Sequence, residues 1–304
     1  MNSKQYSVLV LGAGQIAAGY DAPDSDSVLT HAHAINRHPG FNLLGFYDTD
    51  ADKAKQAAEK WGGRAYETAQ SADVIIICTP DDVHLDSIRQ ATALSPKMII
   101  LEKPIAGNLE DTERILATIG DIPVQVNFSR RFVPAFQQLA VSIKDYGSFL
   151  TGTGHYGKGL IHNGSHMFDL LRLLIGEMKS AEMISMINDY SDDDLTKTAR
   201  LRFDSGDFIM CAVDCRHYTV FELDLCFEKA RVQILDGGRL LKVYKPTESQ
   251  VYSGYLTLTL DDEIYPETDN AMMNLYQNVY EHLTDAKALI SPIAGAVVKG
   301  LYSI

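Results

Sequence analysis

Short, unbroken apolar runs separated by longer stretches of mixed polarity mark the first part of the chain. Ser7 to Leu11, Asn42 to Tyr47, Val74 to Cys78, Met98 to Leu101 and Val124 to Asn127 read as strands. Between them, Asp50 to Trp61, Val83 to Ala93 and Leu109 to Ile119 carry helical spacing. Strands that are apolar throughout are covered on both faces, which predicts a doubly wound parallel sheet between layers of helices, an α/β architecture. After about Arg130 the texture changes. A helical stretch, Pro134 to Ile143, and an apolar helix starting near His166 precede segments with period-two alternation: Lys197 to Phe203, Phe208 to Asp214, Val220 to Phe227, Arg231 to Leu235, Arg239 to Tyr244 and Val251 to Leu260. "FDSGDF" and "LDGGRL" have the residues of hairpin turns, so this part is expected to be a mostly antiparallel sheet with helices on one side. Two closing helical patterns, Asn270 to Ile290 and Pro292 to Tyr302, are broken at Ser291-Pro292.

The length, 304 residues, suits two domains, and 46% apolar with 22% charged residues is the composition of a soluble globular protein. No apolar run approaches the roughly 18 residues that cross a bilayer, and the N-terminus lacks the cleavage site of a signal peptide, so a cytoplasmic protein without a membrane partner is expected. Cys78, Cys211, Cys215 and Cys226 lie in apolar or alternating segments with no C-x-x-C pair and are expected to be buried thiols. With 27 basic against 40 acidic side chains the net charge is −13, which opposes binding to nucleic acid. A local cluster of Lys and Arg still suits a small anionic substrate.

The chemistry begins at Gly12-Ala13-Gly14-Gln15-Ile16-Ala17, a G-x-G-x-x-A string directly after the first strand. Glycines there allow a tight turn and close approach of a pyrophosphate, which the following helix N-terminus stabilises. The second strand ends in "GFYDTD", making Asp48 the candidate acceptor for the adenosine ribose hydroxyls. It arrives later than the usual spacing of about 20 residues, a delay explained by a polar insertion, "GYDAPDSDSVLT", ahead of a helix from near His31. A carboxylate at this place repels a 2′-phosphate and favours NAD over NADP; the same position also suits Asp48 as a helix N-cap. Thr79, Pro80 and His84 follow one strand and Glu102, Lys103 and Pro104 another, at the carboxyl ends where open α/β sheets bind ligands. Taken alone, Lys103 reads equally as a solvated loop charge.

The strings GAGQIA, TPDDVH, EKP and GSHMFDLL, in this order and over essentially the whole chain, resemble the Gfo/Idh/MocA family of NAD(P)-dependent oxidoreductases. The resemblance implies a Rossmann domain, residues 1–127, and a C-terminal α+β domain, residues 128–304, whose large open sheet would build a homodimer or homotetramer. It implies NAD bound by Gly12, Gly14, Gln15, Ile16, Asp48, Thr79, Pro80, His84, Glu102 and Lys103. Lys103 resembles the family's lysine that contacts the substrate hydroxyl, and His166 its acid/base histidine at the end of a D-x-G-x-H helix start. The first place of that motif, usually aspartate, is His162, which questions any mechanism needing a carboxylate there. Asn127, Arg130, Arg131, Tyr156, Lys158 and Asn163 fall in segments that line the substrate cleft in similar proteins. Arg131 also reads as a domain-interface ion pair, and Tyr156 as ordinary strand packing.

The expected reaction moves a hydride between nicotinamide and a secondary hydroxyl or ketone of a sugar, such as a nucleotide sugar. It needs an acid/base within reach of the hydroxyl proton, and an imidazole, His166 or His162, serves both directions. The alternatives are a non-catalytic dinucleotide-binding regulator on the same fold and a zinc site on the two histidines. Zinc hydrolysis is disfavoured because Asn163 stands where H-E-x-x-H requires glutamate and Gly164 interrupts the helix, so no metal is expected.

Overall fold

The computed structural model describes residues 4–293, 301, 302 and 304 and divides into two compact units. The first comprises Met1–Phe132 with Asp269–Val297, the second Val133–Thr268 with Val298–Ile304. The chain therefore leaves the first unit after Phe132 and rejoins it at Asp269, in place of a single cut between residues 127 and 128. The last helical pattern, Pro292 to Tyr302, falls largely outside the described residues.

In the first unit, β1 (Tyr6–Leu11), β2 (Phe41–Tyr47), β3 (Arg64–Tyr66), β4 (Val74–Ile77), β5 (Met98–Leu101) and β6 (Val124–Val126) pair in parallel in the order β3-β2-β1-β4-β5-β6. Crossovers run through α1 (His31–Arg37), α2 (Ala51–Trp61), α3 (His84–Ala93) and α4 (Leu109–Ile119). The four residues of β4 and of β5 are all buried, as continuous apolar runs require. From β1 the chain winds outward through β2 and β3, then restarts at β4 on the other side. This reversal leaves a crevice at the carboxyl ends of β1 and β4. Side chains start the helices where the sequence offers caps: Thr30 accepts from His33 N–H, Asp50 from Asp52 N–H, Asn108 from Asp111 N–H. The cap of α2 is thus Asp50, which leaves Asp48 for another role.

The second unit holds an eight-stranded sheet of β7 (Phe149–Tyr156), β8 (Ser180–Ser191), β9 (Asp194–Arg202), β10 (Asp207–Ala212), β11 (Phe221–Phe227), β12 (Arg231–Leu235), β13 (Leu240–Glu248) and β14 (Leu256–Ile264). Their order is β14-β13-β12-β11-β7-β10-β9-β8, antiparallel except where β7 meets β10. Helices α5 (Pro134–Ser142) and α6 (Ser165–Ile175) complete it. A Cβ added at Gly154 of β7 would lie 2.9 Å from Met167 Sδ, so glycine is what lets α6 sit against the sheet. Strands β9–β10 and β12–β13 are joined at the two predicted hairpin turns. Strand β14 starts at Leu256 rather than Val251, because the chain turns through Gly254 at φ +84°.

On its return, α7 (Ala271–Asp285) packs into the first unit. Tyr6 Oη donates to Leu283 O at 2.8 Å, and Phe41 packs edge-on against Tyr276 and Tyr280. The helix stops short of Ile290: Ala286 takes a left-handed conformation, and Asn278 turns to Ala288 O and Ile290 N–H instead.

Candidate active site

The crevice of the first unit is a cleft of about 790 Å³ lined by Leu11, Gly12, Gly14, Asp48, Thr79 and Pro80, among others. Gly12 has φ +87°, and a Cβ there would meet Cys78 C at 2.7 Å, so this place admits only glycine. Gly14 is different. Its φ is −79° and a Cβ would touch no atom within 4 Å. The chain itself does not need glycine at 14, and its absent side chain leaves the backbone open to close approach by a pyrophosphate.

Asp48 closes this turn. Its Oδ2 accepts from Ala13 N–H at 2.7 Å and its Oδ1 from Asp50 N–H at 2.9 Å, which joins the glycine turn to the end of β2. A carboxylate has about four acceptor positions, so two remain for ribose hydroxyls. Gln15 and Ile16 line the cleft on a five-residue π-helical turn, Gln15–Gly19, which stands where a helix N-terminus was expected after the glycines. Trp61 Nε1 and Lys60 Nζ donate to Ala18 O at its end. The polar insertion is held by buried Asp21, which accepts from Leu29 N–H, Thr30 N–H, Thr30 Oγ1 and His33 Nδ1. Burial opposes its charge, yet these bonds outweigh it and hold the carboxyl below its usual value. From this insertion Tyr20 reaches the cleft wall, as does Lys53 from α2; neither belonged to a motif.

Thr79 and Pro80 line the cleft, but His84 does not. Its ring is buried between Ile105 O, 3.0 Å from Nδ1, and Thr79 O, 2.9 Å from Nε2, tying together the loops after β4 and β5. Glu102 and Asn127 are likewise turned inward. Glu102 Oε1 accepts from Asn127 Nδ2 at 2.6 Å and lies 2.8 Å from His31 Nε2, whose Nδ1 is 2.9 Å from Tyr276 Oη. With Glu102 ionised and His31 neutral, the proton sits on Nε2 and Tyr276 donates to Nδ1, which satisfies each contact of this buried chain. Burial raises the Glu102 pKa, but His31, Asn127 and the Lys103 charge more than offset it and leave it lowered. Burial foremost pushes the Cys78 thiol and the Tyr276 hydroxyl well up. Lys103 follows Glu102 directly and is half-buried; its peptide bond to Pro104 is cis. Arg130 and Arg131 sit half-buried on the turn Ser129–Phe132.

In the second unit both histidines lie where a π-helical turn, Gly159–Gly164, runs into α6. His166 is half-buried in the first turn of α6. His162 Nδ1 and its backbone N–H both meet Asp194 Oδ2 at 2.9 Å, and Ile161 N–H donates to Asp194 Oδ1 at 2.9 Å. The His162 side chain is 32% exposed and that of Asp194 8%. Tyr190 lies against the imidazole, centroids 5.0 Å apart. Lys158, itself exposed, is left-handed at φ +62°, an uncommon state for a residue with a Cβ. Asp189 Oδ2 accepts its N–H, while Asp189 Oδ1 accepts from Thr196 Oγ1, which in turn accepts from Gly159 N–H. Burial works against the Asp189 charge, but the bonds from Lys158, Thr196 and Cys215 hold its pKa below the usual value. Asn163 Nδ2 donates to Gly157 O and braces the turn.

Tyr156 is fully buried, donates to Lys197 O and accepts from Lys197 N–H, and desolvation raises its pKa far above the phenol range. It is a packing residue of β7 rather than a substrate contact. The carboxylates Asp189 and Asp194 were in no motif; they arrive from the β8–β9 hairpin, and sequence spacing carries no sign of them. All four cysteines are free thiols, of which Cys78 alone is fully buried. Among the described residues no group of three or more His, Cys, Asp or Glu side chains could hold a metal ion. No helix among them is long and apolar enough to cross a membrane.

Comparison with known proteins agrees with this geometry. Residues 6–128 match the family model described as oxidoreductase family, NAD-binding Rossmann fold, Gfo/Idh/MocA. The uncharacterized oxidoreductase YrbE of Bacillus subtilis is 26% identical over 257 residues, 73% of this chain and 70% of the relative. Inositol 2-dehydrogenase of Rhizobium meliloti is 31% identical over 143 residues, 45% of this chain and 40% of the relative. The solved UDP-N-acetylglucosamine 3-dehydrogenase of Acidithiobacillus ferrooxidans superposes with a TM-score of 0.76 at 15% identity, covering 98% of this chain and 95% of that one, a likeness of fold. The glycine turn, the Asp48 clamp and the matched segment thus agree: residues 6–128 form an NAD-binding Rossmann domain of the kind found in the Gfo/Idh/MocA oxidoreductases.

Proposed function

We propose that this oxidoreductase is an NAD-dependent dehydrogenase that interconverts a secondary hydroxyl and a ketone on a sugar, a nucleotide sugar or a related carbohydrate. The observation that carries the cofactor half is the open Cβ position of Gly14 beside the Asp48 clamp. The carbohydrate half is supported by relatives named as dehydrogenases of inositol and of UDP-N-acetylglucosamine.

Bound NAD supplies the hydride acceptor or donor. Gly12 and Gly14 let the backbone approach the pyrophosphate, and Asp48 accepts the ribose hydroxyls and disfavours a 2′-phosphate. Lys103 donates to the reacting substrate oxygen and stabilises its developing negative charge. Its neighbour Glu102 is spent on His31 and Asn127, so it does not compete for the proton. The second unit carries two imidazoles, His162 and His166, the side-chain type that can both take and return a hydroxyl proton. Lys158 of the second unit is an exposed cation that suits an acidic or phosphorylated substrate. Leu256, Leu258 and Leu260 of β14 are exposed at one edge of the second sheet, which supports assembly as a homodimer or homotetramer through that unit.

The test is calorimetric titration with NAD and NADP, followed by absorbance at 340 nm with NAD and either myo-inositol or UDP-N-acetylglucosamine. NAD binds more tightly than NADP, and Lys103→Ala lowers turnover at least 100-fold, the usual scale for an acid–base or charge-stabilising group, at nearly unchanged NAD affinity. Failure to bind either dinucleotide would overturn the reading.

A further inference from the structure

We infer that Tyr20, the residue that opens the polar insertion, is a cofactor-binding residue whose ring forms the wall for the nicotinamide half of the dinucleotide. The inference rests on the NAD reading of the first unit's cleft and gives the insertion a use in it.

The insertion holds this one side chain at a fixed place. Tyr20 N–H donates to Gln15 O at 3.1 Å, and the next residue, Asp21, is buried and accepts from Leu29, Thr30 and His33. Farther along, Arg37 Nη2 donates to Ser25 O, Ser27 Oγ to Asp269 Oδ2 and Val28 N–H to Asp269 O. The backbone on both sides of Tyr20 is therefore anchored, yet the residue is 62% exposed. Beside it on the cleft wall stand Ile16, Pro80 and Val83, also apolar, and Val83 is 40% exposed. An apolar wall this open, on a backbone this firmly held, is preorganised for a ligand to cover.

The two faces of the turn Gln15–Gly19 decide which half of the dinucleotide covers it. Ala18 and Gly19 line a second hollow, of about 500 Å³, against Gln56, Ala57 and Lys60 of α2, and Ala18 O accepts from Lys60 and Trp61. That face looks toward α2, the helix that follows Asp48 and the ribose end of the cleft. Ile16 and Tyr20, at i and i+4, line the cleft and take no part in that hollow. Their side looks away from α2, along the sheet from β2 toward β4 and β5. With Asp48 on the adenosine ribose and the two glycines at the pyrophosphate, the part of the cofactor left for the Tyr20 side is the nicotinamide nucleoside. An aromatic face there loses its water and stacks on a flat ring.

The experiment titrates the full-length protein calorimetrically with NAD and with ADP, which keeps the adenosine and both phosphates but lacks the nicotinamide nucleoside. Tyr20→Ala should weaken NAD binding on the order of tenfold, the scale of losing one stacked aromatic partner, and leave ADP within about twofold. Tyr20→Phe keeps the ring and should stay within about threefold of wild type for both ligands. A merely structural role would weaken NAD and ADP in parallel, because the same turn faces the pyrophosphate. Wild-type NAD affinity in Tyr20→Ala, equal losses of NAD and ADP, or a Tyr20→Phe as weak as Tyr20→Ala would each overturn the inference. Removing an exposed side chain should leave the fold intact. If Tyr20→Ala nevertheless fails to fold, spectra of the wild type with ring-labelled tyrosine decide. The Tyr20 signal, assigned by its loss in Tyr20→Phe, should move on addition of NAD and stay in place with ADP; a signal indifferent to NAD would overturn the contact. A wild type that binds no dinucleotide would refute the cofactor reading as well, whereas NAD binding indifferent to Tyr20 would refute this inference alone.

Discussion

Removal of the Glu102 carboxylate should destabilise the first unit by about 2–6 kcal/mol, the cost of leaving its buried hydrogen-bond donors without an acceptor. The figure can be built from its contacts. Glu102→Ala leaves two buried donors, His31 Nε2–H and Asn127 Nδ2–H, without an acceptor, and each such loss costs about 1–3 kcal/mol. Glu102→Gln retains the volume and one amide oxygen, so it should cost only about 1–2 kcal/mol. Trp61 is the sole tryptophan; buried in the first unit and bonded to Ala18 O, it makes fluorescence during urea unfolding report on that unit. A double-mutant cycle of Glu102→Gln with His31→Leu should give a coupling energy of roughly 1–3 kcal/mol, as expected for residues in one hydrogen-bonded network. If Glu102→Ala lay within 1 kcal/mol of wild type, or the cycle closed to zero, the buried chain from Tyr276 to Asn127 would not be the support inferred here.

Two further outcomes follow from the carboxylates. Asp48→Ala should lower discrimination between NAD and NADP on the order of tenfold, about 1.4 kcal/mol, measured as the ratio of calorimetric affinities; an unchanged ratio would remove Asp48 from the ribose site. Asp21, Glu102 and Asp189 have folded pKa values below their ordinary 3.8, 4.5 and 3.8. Their stabilisation is therefore fully present above those ordinary values and is lost as pH falls through the folded ones. Urea midpoints should be flat with respect to these groups near neutrality and drop below about pH 4, with a shallower drop in Glu102→Gln; equal slopes would show that Glu102 is not among the groups responsible.

What could be read from the chain depended on whether the determinant was local. Strands β4 and β5 are buried on both faces and announce themselves as apolar runs. Strand β3 has three residues and no apolar pattern, and β8 is exposed along most of its length; neither was legible. Strand β7 was hidden by Gly152 and Gly154, which are small because Phe208 and Met167 occupy the space above them. The glycine fingerprint and Asp48 were legible because a dinucleotide is gripped by one turn and one strand end. His84, Glu102, Asn127 and Tyr156 had the right chemistry in the right segments, yet their side chains point inward. Position at a strand end shows which residues are near a ligand; it does not show which way they face.

The histidine turn shows the limit most clearly. A histidine at the place of a motif aspartate reads as a lost carboxylate when only the local string is considered. In the folded chain Asp194, distant in sequence, donates no proton and accepts three N–H groups from Ile161 and His162. Moving a carboxylate from the turn to a neighbouring hairpin requires space for it, and the turn provides that space at Gly159, where backbone conformation and absent side chain both serve Asp194. Only the tertiary contact gives the two residues a common reason. On this argument Gly159, His162 and Asp194 form one structural unit, and replacing any one of them alone should disturb the orientation of the imidazole more than the fold of the sheet beneath it.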